Sequence, residues 1–95
     1  MESKRINANI KINGEPIPFL LSPEEEPFFR EAAIKINDRL AVLHNKYGAV
    51  ANFEDLLSTV AVEAMVDALQ AHQNYERLRA EVNGRLEQID SRLDG

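Results

Sequence analysis

FEDLLSTVAVEAMVDALQAHQNYERLRAEVNGRLEQIDSRL, residues 53–93, decides the fold. The stretch has no proline, and its apolar residues recur every three or four positions, so it reads as one helix of roughly 40 residues. At ~1.5 Å per residue such a helix spans roughly 60 Å. A compact domain of this chain's size is only about half that wide. The helix is therefore expected to project beyond its own globular body, and a projecting apolar stripe calls for a partner helix.

The stripe changes character along its length. Between Leu56 and Asn74 the one continuous polar track is Thr59, Glu63, Asp67, Gln70 and Asn74. Most of the circumference there is apolar, enough to serve both an internal core and a second subunit. From Ala71 onward, the residues Ala71, Tyr75, Leu78, Val82, Leu86, Ile89 and Leu93 step by fours and threes. Ala71, Val82 and Leu93 repeat every eleven residues, as do Tyr75 and Leu86. That period, near 3.67 per turn, favours a nearly straight or slightly right-handed helix pair. Glu81 and Arg85 are spaced for an i,i+4 ion pair. Gly84 is a weak point, costing about 1 kcal/mol relative to alanine. With Val60 and Ala64, the residues Ala71, Tyr75, Leu78, Val82, Leu86, Ile89 and Leu93 are the candidate oligomer interface.

Upstream, Asn52 is placed to cap this helix, with Glu54 and Asp55 in its first turn. Ser22-Pro23-Glu24-Glu25 opens an earlier helix, expected over 23–47. Ser22 is its N-cap, Pro23 takes the first helical position and Glu25 closes a capping box. Pro27 removes an early backbone donor, so the first turn is expected to be distorted. Phe29, Ala32, Ala33, Ile36, Leu40, Leu43 and Tyr47 form one stripe, with Glu26–Arg30 and Glu31–Lys35 as i,i+4 pairs on other faces. Gly48 marks the end. Tyr47 and Phe53 are expected to pin the following loop as core residues.

Closer to the start, Ile6, Ala8, Ile10 and Ile12 alternate with polar residues, the period of a half-buried strand. Asn13-Gly14 follows, a strong signal for a type I′ turn. A two-residue turn pairs Ile12 with Glu15, Ile10 with Ile17, Ala8 with Phe19 and Ile6 with Leu21, which sets the apolar residues of both strands on one face. Pro16 and Pro18 then fall where their missing N–H groups point outward, closing that edge of the hairpin. The fold class is α+β: an N-terminal β-hairpin, one medium helix, then a long C-terminal helix forming a coiled-coil rod in an oligomer. The expected division is a head of residues 1–74 and a projecting part of residues 75–95.

Composition narrows the chemistry. Ninety-five residues with 44% hydrophobic content and four prolines fit one small ordered domain with little private core. There is no cysteine, so disulfides, thiolate metal sites and cysteine catalysis are out. The formal charge of −5 disfavours nucleic acid as a direct partner. The N-terminus has no apolar signal region, and Leu56–Leu69, interrupted by Glu63 and Asp67, is too short to span a bilayer. Glu24, Glu25 and Glu26 read as acids at a helix N-terminus, not as a metal cluster. His44 and His72 lie on different helices with no ligand spacing around them. There is no nucleophile–base pair and no glycine-rich phosphate loop. No enzyme, cofactor or metal is expected.

Specific residues now attach to this order of elements. Ile10-Lys11-Ile12-Asn13-Gly14 at the hairpin, Ser22-Pro23-Glu24-Glu25-Glu26 at the cap, Ala32-Ala33 and Ile36-Asn37-Asp38-Arg39-Leu40 on the first helix, and Leu56 through Leu69 opening the second resemble the ZapA family of bacterial cell-division proteins. The resemblance covers nearly the whole chain; Ala-Ala followed by Ile-Asn-x-Arg-Leu is its most specific piece. It implies a non-enzymatic protein, cytoplasmic and at the mid-cell division ring. Such proteins bind the tubulin-like GTPase FtsZ and crosslink its filaments. The family dimerises through its globular halves and pairs two dimers through the long helices. Two heads on one rod would raise the effective concentration of the second contact. Asn37, Arg39, Lys46 and Glu54 are the candidate FtsZ contacts. Where the family often carries basic residues after the hairpin glycine, this chain has Glu15, Pro16 and Pro18. A general coiled-coil adaptor, or a dimerisation module with a partner other than FtsZ, is the alternative.

Overall fold

A computed structural model describes residues 4–94, with side chains through Ser91. The order of elements is β1 (Ile6–Ile12), β2 (Glu15–Leu21), α1 (Glu26–Tyr47) and α2 (Phe53–Asp94), an α+β chain. Its contacts divide it into two units, Met1–Val60 and Ala61–Gly95.

Within the first unit, β1 and β2 form a two-stranded antiparallel sheet in the register that the alternation predicts, Ile6 opposite Leu21 through Ile12 opposite Glu15. The turn holds both central residues at positive φ, 52° at Asn13 and 80° at Gly14, as a type I′ turn requires. Ala8, Ile10 and Leu21 are buried on one face against Ala33 of α1, with Phe19 and Phe29 packed beside them. Those two rings meet edge to face at 5.2 Å between centroids, the arrangement their quadrupoles favour.

A second cluster joins Leu40 and Leu43 of α1 to Leu56 and Val60 of α2, with Ile12, Ile36 and Ala51 at its margin. Successive helical residues turn by ~100°. The face that buries Leu56 and Val60 is continued by Glu63, Asp67 and Gln70, so this apolar stripe ends at Val60 for a reason written in the sequence.

Helix α1 begins three residues later than Pro23, at Glu26. The capping-box contacts do form: the Glu25 N–H donates to Ser22 Oγ at 3.3 Å, and the Ser22 N–H donates to Glu25 Oε1 at 3.3 Å. Ser22 Oγ also donates to that carboxylate at 2.9 Å. The Ser22 carbonyl takes both the Glu25 and the Glu26 N–H, giving a tight turn over Pro23–Glu25. Pro27 has no N–H to return to Pro23, so the regular ladder starts after that turn. Ala32 lies outside the buried stripe.

At the other end, Gly48 keeps right-handed φ and ψ and its N–H donates to the His44 carbonyl at 2.8 Å. A Cβ at Gly48 would stand 2.5 Å from that carbonyl oxygen, so glycine is needed here for space and not for a left-handed cap. Asn52 caps α2 as expected: Asp55 N–H donates to Asn52 Oδ1 at 2.9 Å and Asn52 N–H to Asp55 Oδ2 at 3.2 Å. Tyr47 and Phe53 are not core residues, being 44% and 42% exposed; Ala51 fills the margin of the cluster instead.

The second unit is helix throughout its described length, and its residues through Ser91 are exposed apart from half-buried Glu63. Among the described residues no helix is long and apolar enough to cross a membrane.

Candidate functional site

Helical geometry sorts the exposed apolar residues of Ala61–Gly95 into two strips. Ala64, Ala71, Tyr75, Leu78, Val82, Leu86 and Ile89 fall within a sector of about 80°. Val62, Met65, Val66 and Leu69 occupy another, of about 100°. Tyr75, Leu78, Val82, Leu86 and Ile89 are each about half exposed or more. A run of this length left to water marks an interaction face. Leu93, expected to extend it, has a side chain outside the described residues.

Val60, the first residue of the expected oligomer interface, is covered within its own protomer at 6% exposure. Glu81 and Arg85, spaced for an ion pair, do not form one. Both are solvated, where such a pair gains little. Upstream the expected pairs do close: Arg30 reaches Glu26 at 2.8 Å and Lys35 reaches Glu31 at 3.9 Å.

The candidate contact residues of the first unit lie on α1 and in the first turn of α2. Arg39 and Lys46 are exposed on α1, and Glu54 is exposed in the first turn of α2. The Lys46 ammonium lies over the Tyr47 ring, 5.6 Å from its centroid. Asn37 is half-buried and engaged at both ends of its amide. Its Oδ1 accepts the Asn13 N–H at 2.8 Å and its Nδ2 donates to the Lys11 carbonyl at 2.9 Å. It thereby ties α1 to the hairpin turn. Nothing local in the sequence signals this bond, which joins residues more than twenty positions apart; its only trace is the place of Asn37 at the border of the apolar stripe.

Around that clamp opens a cleft of about 590 Å³ between the turn (Asn13, Gly14), α1 (Leu40, His44) and the start of α2 (Phe53, Leu56). Its walls are mainly apolar. Its polar groups are the asparagines already bonded to each other and the imidazole of His44, which has no neighbouring carboxylate or second histidine in the cleft. Among the described residues, no three His, Cys, Asp or Glu side chains come together to hold a metal ion. A lowered carboxyl lies elsewhere, at Glu25. Hydrogen bonds from Ser22, side chain first and then backbone, hold the Glu25 carboxyl below its usual range, helped by the charge of Arg5.

Hairpin, clamped α1, glycine stop and long α2 thus occur in one order and with specific residues at each junction. The family profile described as cell division protein ZapA matches residues 8–93. The chain belongs to the ZapA family. The matched span takes in the hairpin from Ala8 onward, both buried clusters and the exposed strips of α2. Comparison with curated proteins and with solved structures returned no match. As a ZapA-family member the chain is a cell division protein.

Proposed function

We propose that this protein is a non-enzymatic crosslinker of FtsZ filaments, acting in the cytoplasm at the division ring as a bivalent homo-oligomer. Membership of the ZapA family is the observation that carries the reading. The exposed strip from Ala71 to Ile89 supports it, since a bivalent linker needs a face by which two-headed assemblies form. In this assembly residues 1–74 make the head and residues 75–95 the rod. Dimers form through the heads, and two dimers join through Ala71, Tyr75, Leu78, Val82, Leu86 and Ile89. Val60 acts on the head contact indirectly, by supporting the residues around it. Ala64 lies in the same sector as the rod residues and extends the interface toward the head.

Arg39, Lys46 and Glu54 are the proposed FtsZ contacts, with Asn37 shaping the hairpin corner beside them. Binding energy is the only currency, and two heads on one rod give the second contact a high effective concentration. Sedimentation of FtsZ with GTP, with and without this protein, tests the reading. Co-pelleting with bundled filaments is expected. A folded, oligomeric protein that stays in the supernatant would overturn it and leave the adaptor with another partner.

A further inference from the structure

The two edges of the hairpin differ. With Ile12 and Glu15 closing a two-residue turn as a hydrogen-bonded pair, bonding alternates along the ladder. The N–H and C=O groups of Asn7, Asn9 and Lys11 therefore point outward from β1, as those of Pro16, Pro18 and Leu20 do from β2. Two of the three outward positions on β2 have no N–H to offer, so that edge is closed. On β1 all three are present, and only the Lys11 carbonyl is taken, by Asn37 Nδ2.

Beside this open edge runs a cleft of about 370 Å³, with Asn9–Lys11 on one wall and Arg30, Ala33 and Ile34 of α1 on the other. Ile34 is 60% exposed and offers an apolar floor. Charge singles out the same place. In a chain of net charge −5, residues 4–12 carry Lys4, Arg5 and Lys11 and no acid. Arg5 lies near Glu25 and Arg30 is paired with Glu26, which leaves Lys11 as the cation presented at the cleft.

We propose that the open edge of β1 accepts an extended acidic peptide segment of a partner protein by strand addition. The added strand would bond to the outward groups of Asn7 and Asn9 and to the Lys11 N–H. Its alternate side chains would face in two directions. Small apolar ones would lie toward Ile34, and acidic ones would lie beside Lys11 on the solvent face. Backbone bonds give the affinity, and the apolar floor with the single cation gives the preference. The proposal uses none of Arg39, Lys46 and Glu54, which do not line this cleft, so either reading can fail alone.

Hydrogen exchange by NMR on the full chain tests it, with a blocked peptide of alternating valine and glutamate about eight residues long as the probe. The Asn7 and Asn9 amides are expected to exchange freely in the protein alone and to become protected when the peptide is added. Of the two versions of this peptide N-methylated at every valine or at every glutamate, the one whose methyl groups face β1 should bind at least about tenfold more weakly, since it cannot complete the ladder. Asn9→Pro closes β1 as Pro18 closes β2 and should weaken binding similarly without breaking the β1–β2 ladder. Lys11→Glu, which leaves the backbone untouched, should weaken binding about two- to fivefold. Equal binding of a valine–lysine peptide or of both N-methylated peptides would overturn the proposal. So would no binding, protection confined to other residues, or amides of Asn7 and Asn9 already protected before the peptide is added, which would place a second copy of this chain on the edge.

Discussion

Replacing Asn37 by alanine removes a side chain that ties α1 to the hairpin turn by hydrogen bonds at both ends of its amide. Two bonds are lost, at 2.8 Å to the Asn13 N–H and at 2.9 Å to the Lys11 carbonyl. Each neutral bond contributes about 0.5–1.5 kcal/mol, and at a half-buried site water replaces part of it. The expected loss is therefore about 1–2 kcal/mol, or about 5–10 °C in melting temperature for a domain of this size. Urea unfolding followed by circular dichroism reads the global change. Wild type and variant are compared at one protein concentration, because any assembly would link stability to concentration. Exchange of the Asn13 amide reads the local change and should speed up. Asn37→Asp keeps the acceptor for Asn13 but sets a carboxylate oxygen against the Lys11 carbonyl, so it should not restore stability. A loss below about 0.3 kcal/mol for Asn37→Ala, together with unchanged exchange at Asn13, would refute the clamp. Loss of FtsZ co-pelleting with stability intact would instead make Asn37 a contact residue.

Four further outcomes are expected. The Glu25 carboxyl titrates below its ordinary value of 4.5, so its contribution is present above that value and is lost as pH falls through the lowered one. Urea midpoints measured from about pH 6 down to about pH 3 should therefore fall less steeply in Ser22→Ala than in wild type; parallel curves would contradict the assignment. Gly84→Ala meets nothing within 4 Å and should stabilise the helix by up to about 1 kcal/mol, whereas Gly48→Ala collides with the His44 carbonyl and should destabilise. Equal effects in thermal melts would count against that contrast. Ile89→Glu puts a charge on the exposed strip, so light scattering is expected to find tetramers for the wild type and dimers for the variant, and an unchanged mass would sink the rod. Val60→Asp buries a carboxylate among Leu40, Leu43 and Leu56 and should cost several kcal/mol, seen as lost helicity; native helicity would contradict the core assignment.

Local chemistry made much of this fold legible. Asn13-Gly14 and the period-two alternation set every pair of the hairpin, because a two-residue turn admits one register and a slip would turn Ala8, Ile10 and Leu21 to water. The Asn52–Asp55 box and the uninterrupted three- and four-residue spacing placed α2 to within a residue or so. Its exposed strip, too, follows from spacing, since no other segment of the chain is long enough to cover it. These features all rest on interactions within a few residues, or on a periodicity that any helix imposes.

Distance along the chain marks where that reading stops. The start of α1 depended on a competition between the Ser22–Glu25 box and the missing donor of Pro27, and only the folded turn shows Glu26 as the winner. Gly48 was recognisable as a stop, but its reason, a collision with the His44 carbonyl, is a matter of three-dimensional space. Tyr47 and Phe53 have the apolar surface of core residues, yet Ala51 fills the available room. Asn37 and the unequal edges of the hairpin come last in this order. A side chain that closes a gap of 24 residues to Asn13 has no periodic or local signature, and although Pro16 and Pro18 already mark the closed edge of β2 in the sequence, the cleft beside β1 exists only where α1 is placed. Sequence alone determined the elements, their order and the register of the hairpin; the tertiary structure decided which polar groups were consumed in holding them together, because bonds such as those of Asn37 close only when distant segments meet.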